Sequence, residues 1–146
     1  MTASQDERAF WLFKSEPETW SWDDQVGRGA AGQEWDGVRN YQARNFMQQM
    51  KVGDLGFFYH SGGVRAVVGV VEVIAPAHPD STSDDPRWTC VDLRAVASFP
   101  QTVSLEAIKA DGRLSEMVLV RNSRLSVQPV RADEWAAVCA LGGYTG

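Results

Sequence analysis

The chain has 146 residues, 44% hydrophobic and 23% charged, a size and balance that fit one globular domain able to bury a core without disulfides or metal. Its net charge of −5 argues against non-specific binding to duplex DNA or an anionic membrane, which needs a broad basic surface, but leaves room for a local basic pocket. Cys90 and Cys139 are far apart and form no CxxC motif, His60 and His78 are the two histidines, and no apolar run approaches the roughly 18 residues of a membrane span. A reducing compartment is expected, with no zinc site, no signal peptide and no membrane span.

In chain order, Met1 to Arg8 is polar and reads as a disordered tail. Ala9 to Lys14 is a short apolar, aromatic run that predicts a strand. It stops at Ser15-Glu16-Pro17, because proline lacks an amide donor and biases the residue before it to an extended conformation. Lys14, Ser15 and Glu16 thus sit at a strand end, where functional groups and plain salt-bridged turns are both common. Thr19 to Val26 reads as a short helix or turn, and Gly27 to Gly32 as a flexible loop.

Trp35 to Asn45 holds two aromatics, two arginines and two asparagines. Ala43, Phe46, Met47 and Met50 fall at i, i+3, i+4 and i+7, one apolar helical stripe, and Asn40 is placed to cap the first turn. Trp35 and Arg39 then lie in the approach to the helix, and Tyr41, Arg44, Asn45 and Gln48 project opposite the stripe. Polar groups gathered at a helix N-terminus favour a polar or anionic ligand; a solvated face beside one core tryptophan is the bland alternative.

Leu55 to Tyr59 predicts a strand running into His60-Ser61-Gly62-Gly63. Ala66 to Ile74 predicts a central strand, with Gly69 marking a bulge or a close backbone approach. Pro76 to Pro86 reads as a loop, Trp88 to Ala97 as a strand, and Ser104 as the cap of a short helix through Lys109. Leu125 to Val127 is strand-like, and Arg131 to Leu141 predicts a terminal helix stopped by Gly142. Five or six strands without regular alternation with helices exclude a doubly wound sheet. They fit an α+β domain, a small, partly closed mixed β-barrel with peripheral helices. Trp11, Trp20, Trp22 and Trp135 are expected in the core; Trp88 is open between core and pocket.

The segments WLFKSEP (11–17), WDGVRNYQARN (35–45), Gly53-Asp54 through Phe58-Tyr59-His60-Ser61, the strand ending GVVEV (69–73) and SRLSVQPV (123–130) resemble, in order, the EVE domain family of the PUA-like group. The resemblance spans residues 9 to 141 and implies a single domain over 9–146. It implies a PUA-like barrel with an aromatic-lined pocket for a modified, flipped-out nucleobase, modified cytosine in DNA foremost. The similar YTH domains hold methylated adenine of RNA in an aromatic cage. By that pattern Lys14-Ser15 matches the pair before a first cage tryptophan, Trp35 looks like that tryptophan, and Trp88 stands for the second.

The implied base-binding set is Lys14, Ser15, Glu16, Trp35, Val38 and Asn40, with Tyr41, Tyr59, His60, Ser61 and Trp88. Trp35 supplies the stacking face, Trp88 or Tyr59 the opposite side, and Ser15, Asn40 and Tyr59 read the base edge. Stacking on one aromatic returns about 1–3 kcal/mol, which offsets an extrusion cost of a few kcal/mol. Arg39, Arg44 and Arg124, with Lys14, would hold flanking phosphates. The rival reading is an amidohydrolase on a modified nucleoside, as in similar ASCH domains, with Lys14 and Glu16 as its acid/base or nucleophilic pair. A protein-interaction module is a third. The expectation is a cytoplasmic, monomeric binding module, not an enzyme, without cofactor or metal, whose partner is DNA or RNA carrying a modified base.

Overall fold

The computed structural model describes residues 8–145; apart from Arg8, the expected tail lies outside the described residues. Among them, six strands form one mixed sheet. β1 (Phe10–Ser15) is an inner strand next to one edge, with β3 (Leu55–His60) parallel to it on one side and β6 (Val127–Val130) antiparallel on the other. β4 (Ala66–Pro79) pairs with β3, β5 (Thr89–Ser104) with β4, and β2 (Gln33–Glu34) with β5. The order is therefore β2-β5-β4-β3-β1-β6.

Strand alternation sorts the apolar residues into two cores. Trp11 and Phe13 of β1 and Phe58 of β3 face one cluster; Leu12, Phe57 and Tyr59 face the other. The first is closed by α2 (Tyr41–Gln49), which touches both β5 and β6. Those strands lie far apart in the sheet order, so the sheet curls around this helix into a partly closed barrel, as expected. Asn40 caps α2 by accepting from the Ala43 amide at 2.9 Å, and Ala43 and Met47 are fully buried, as the stripe predicts. The second cluster lies under α3 (Leu105–Ala110) and α5 (Ala132–Gly142), with the short α4 (Val118–Arg121) between them in the chain, and Trp135 stacks on Phe57 with ring centroids 3.9 Å apart.

Several boundaries differ from expectation, among them the last strand, which runs Val127–Val130 where the sequence predicts Leu125 to Val127. β4 continues through Pro79 instead of ending at Ile74, because register shifts between Val73 and Ala75 and between Ala75 and His78 let Pro76 sit outside the regular ladder. β5 continues to Ser104 past Pro100 through a further shift against Val67 and Gly69. The terminal helix is capped by Gly143, one residue later than read, since Gly142 packs against Phe99. Gly69 is the close approach anticipated: a Cβ there would lie 2.3 Å from the Trp22 ring. Trp22 opens α1 (Trp22–Gly27), which Ser21 and Asp24 start with a capping box. The loop expected at 27–32 contains a 3-10 turn, Gly29–Ala31.

Candidate nucleic-acid interface

Two segments converge at one end of the barrel. One is the end of β1 with its turn, contributing Lys14, Ser15, Glu16, Thr19 and Trp20; the other runs from β2 towards α2, contributing Gln33 to Arg39. With Ser126 they enclose a cavity of about 380 Å³, within the ordinary size of small-molecule pockets.

The first wall is set by Pro17, which ends β1 and forces a turn. The Ser15 hydroxyl donates to Trp20 O at 2.5 Å, and the amides of Thr19 and Trp20 both donate to Glu16 O at 2.9 Å. Trp20, half-buried, is further held by its indole N–H on Gln25 Oε1 at 2.9 Å, while Gln25 is itself buried and donates to Leu93 O. Expected purely in the core, Trp20 instead packs against it and also lines the cavity.

Trp35 anchors the second wall. Its amide donates to Val91 O, and its ring meets Phe13 and Phe58 edge-on at 5.4 and 5.6 Å. Trp35 is thus both a core residue, 7% exposed, and a cavity wall. Among the described residues its indole N–H has no hydrogen-bond partner. Gly37 follows with φ +80°, a conformation costly for other residues. Its amide donates to Asp80, a 2% exposed carboxylate that also takes Arg39 at 3.0 Å and the amide and hydroxyl of Thr82. Burial alone would raise the Asp80 carboxyl, but these donors outweigh it and hold it at about 2. Asp80 therefore pins the Gly37–Arg39 wall to the loop after β4.

Charge around the cavity is mixed. Lys14 Nζ donates to Ser123 O at 2.5 Å; burial, then the nearby Arg65, push its pKa down. Asp36 is pushed up by burial, then by Asp80 and Glu34, with Arg39 opposing. The side chains of Arg65 and Arg124 make no hydrogen bond or ion pair among the described residues. Arg124 follows Ser123, the residue that Lys14 contacts, so Lys14, Arg65 and Arg124 give the protein a cationic side at this end.

Of the residues expected in the site, the cavity gathers Lys14, Ser15, Glu16, Trp35, Val38 and Arg39. The others lie outside its lining. Asn40 is engaged as the α2 cap. Tyr59 is 2% exposed in the second core, because its register against Lys14 turns it to the face of Leu12 and Phe57. His60 supports the turn: its Nε2 accepts from the Trp22 amide at 3.1 Å, and burial pushes its pKa down against the pull of Asp23. Ser61 donates its amide to Ser15 O. Tyr41 and Trp88 stack on each other with centroids 4.9 Å apart, flanked by Arg44 over Tyr41 and Arg39 over Trp88. Arg44 is tied to Asn45 and to Arg87 O, so this ladder clamps the loop before β5 onto α2.

Sequence reasoning missed Trp20, Gln33, Asp36 and Arg65. The position of Trp20 three residues after the Pro17 turn was the one available signal; the others depend on which strands meet. Glu34, Asp80 and Cys90 bring potential metal-ligand atoms within 4.8 Å of one another. The Asp80 oxygens and Glu34 Oε1 already accept protein donors, and burial, then Glu34, push the Cys90 thiol up, which disfavours the thiolate a metal needs. Among the described residues, no helix is long and apolar enough to cross a membrane.

Comparison with known proteins places this architecture. The EVE domain family model matches residues 9–141. Thymocyte nuclear protein 1 of Mus musculus is 35% identical over 164 residues, covering 90% of this chain and 73% of that protein. A crystal structure of an Agrobacterium tumefaciens protein is 56% identical with a TM-score of 0.92, covering 93% of this chain and 94% of that one. The crystal structure of the human protein THYN1 in complex with 5-methylcytosine containing DNA is 32% identical with a TM-score of 0.87, covering 94% of this chain and 99% of that one. On the strength of a match spanning nearly its whole length, the chain belongs to the EVE domain family.

Proposed function

We propose that the protein binds a nucleic-acid strand carrying a modified base, a modified cytosine in DNA foremost, and receives that base in the cavity between Trp35 and Trp20. The observation that carries this is the cavity itself: two tryptophans from separate segments line a ligand-sized space whose polar groups come from Lys14, Ser15, Glu16 and Asp36. The DNA complex of the human family member supports the same ligand class. Stacking offsets extrusion, and polar groups around the rings read the base edge. Ser15 fixes the turn with its hydroxyl, so its part is to shape the wall. Arg124 and Arg65 hold phosphates of the flanking strand, which positions it without reading sequence.

The protein acts as a binding module, a monomer of the cytoplasm; two buried free thiols suit a reducing compartment. Fluorescence anisotropy with strands differing only in one cytosine, unmodified, 5-methyl or 5-hydroxymethyl, tests the proposal. A modified strand should bind at least about tenfold tighter, a discrimination of 1–3 kcal/mol being usual for one well-read base. Equal affinity for all three strands would refute it. The lowered pKa of Lys14 favours the amidohydrolase as a second reading. Release of acetate from an acetylated cytidine, lost in Lys14→Met, would decide for it.

A further inference from the structure

The cations of the cavity wall are already committed: Lys14 donates to Ser123 O and Arg39 pairs with Asp80. Glu34 is likewise occupied, accepting from the amide and hydroxyl of Ser81. The carboxylates of Glu16 and Asp36, which line the same space, accept no hydrogen bond among the described residues. Among the charged residues of the wall these two carboxylates alone are unpaired, so a ligand's donors find free acceptors there, beside the spare N–H groups of Lys14 and Arg39. A phosphate is repelled by the same groups.

The two free carboxylates are not equivalent. Both are exposed, and Glu16 stands on the turn beside Pro17 and Gly62. Asp36 follows Trp35 directly and shares its wall of the cavity. It is also surrounded by like charge, Asp80 and Glu34, against Arg39, whose own charge is engaged by Asp80. A donor arriving at Asp36 relieves a repulsion that the fold leaves in place.

We propose that Asp36 determines which base the cavity accepts, taking a hydrogen bond from an exocyclic amine and so selecting cytosine-type over thymine-type bases. The inference rests on the base-binding function proposed above and names the residue that reads the base. Cytosine carries an amino donor at C4, where thymine carries a carbonyl; a carbonyl facing a carboxylate is repelled and leaves it unpaired.

Strands identical except for 5-methylcytosine or thymine at one position isolate this edge, because both bases carry the same methyl group. The wild-type protein should prefer the 5-methylcytosine strand by about tenfold or more. Asp36→Asn, whose amide both donates and accepts, should bring the two strands to near-equal affinity by weakening the methylcytosine strand. Glu106→Gln, an exposed carboxylate on α3 outside the cavity lining, should leave the preference intact. The melting temperature of Asp36→Asn should equal or exceed wild type, since it breaks no hydrogen bond and removes a repulsion. Full preference in Asp36→Asn overturns the assignment, as does a loss of preference in Glu16→Gln that Asp36→Asn does not share. A wild-type protein that binds 5-methylcytosine and thymine strands equally, yet both above unmodified cytosine, overturns Asp36 and keeps base binding. Equal binding of all three strands overturns base binding itself.

Discussion

Asp80→Asn removes the hub that ties one cavity wall to the loop after β4. Holding this carboxyl at about 2 instead of 3.8 is worth about 2 kcal/mol at neutral pH, at about 1.4 kcal/mol per tenfold change in proton affinity. Asparagine keeps the shape but loses the charge, and its amide turns donors towards Arg39 or Thr82. The variant should therefore be less stable by about 2 kcal/mol at pH 7, a fall in Tm of about 6–8 °C for a chain of this size. The pH dependence follows in sign. The folded pKa lies below the unfolded one, so the contribution is complete above about pH 5, about half gone at pH 3, and lost as pH falls through 2. Because asparagine does not titrate, the difference between wild type and variant isolates this one group. Urea unfolding of both proteins at pH 7 and pH 3 measures it. A difference that stays constant between the two pH values would show that Asp80 stabilises by packing alone and would refute the charge-hub account. Gly37 and Arg39 line the cavity, so the variant should also bind the modified strand more weakly.

Trp20→Ala should weaken the modified strand by the worth of one stacking face, about 1–3 kcal/mol, in anisotropy titrations. Trp35→Ala should do the same but also cost about 3–5 kcal/mol of stability by calorimetry, because its ring packs on Phe13 and Phe58; an unchanged Tm would mean the core closes without it. Gly69→Ala forces a Cβ to within 2.3 Å of Trp22 and should destabilise by about 1–3 kcal/mol or more in urea melts. Removing Arg65 or Arg124 should each reduce the slope of log affinity against log salt on a single strand by about 0.7, weakening modified and unmodified strands alike. Arg39→Ala should leave that slope unchanged, since its charge is already engaged by Asp80; a fall in slope there would reverse the division.

What the sequence by itself determined is local. The aromatic run closed by Pro17 made β1, Asn40 and the 43-46-47-50 stripe made α2, and Ser104 started α3, because caps, periodicity and proline act within one turn or one strand. The family resemblance also named Lys14, Ser15 and Trp35, which the folded chain gathers in one cavity. Tertiary structure decided the rest. The parity of β3 against β1 sent Tyr59 to the far core, and the turn after β1 put Trp20 into the cavity lining. The partners of arginine were equally hidden: Asp80 lies 41 residues from Arg39 and engages its charge, whereas Arg124 is left open. Side-chain direction and charge pairing across a curled sheet depend on register and bulges between distant strands, and nothing within a single segment encodes them.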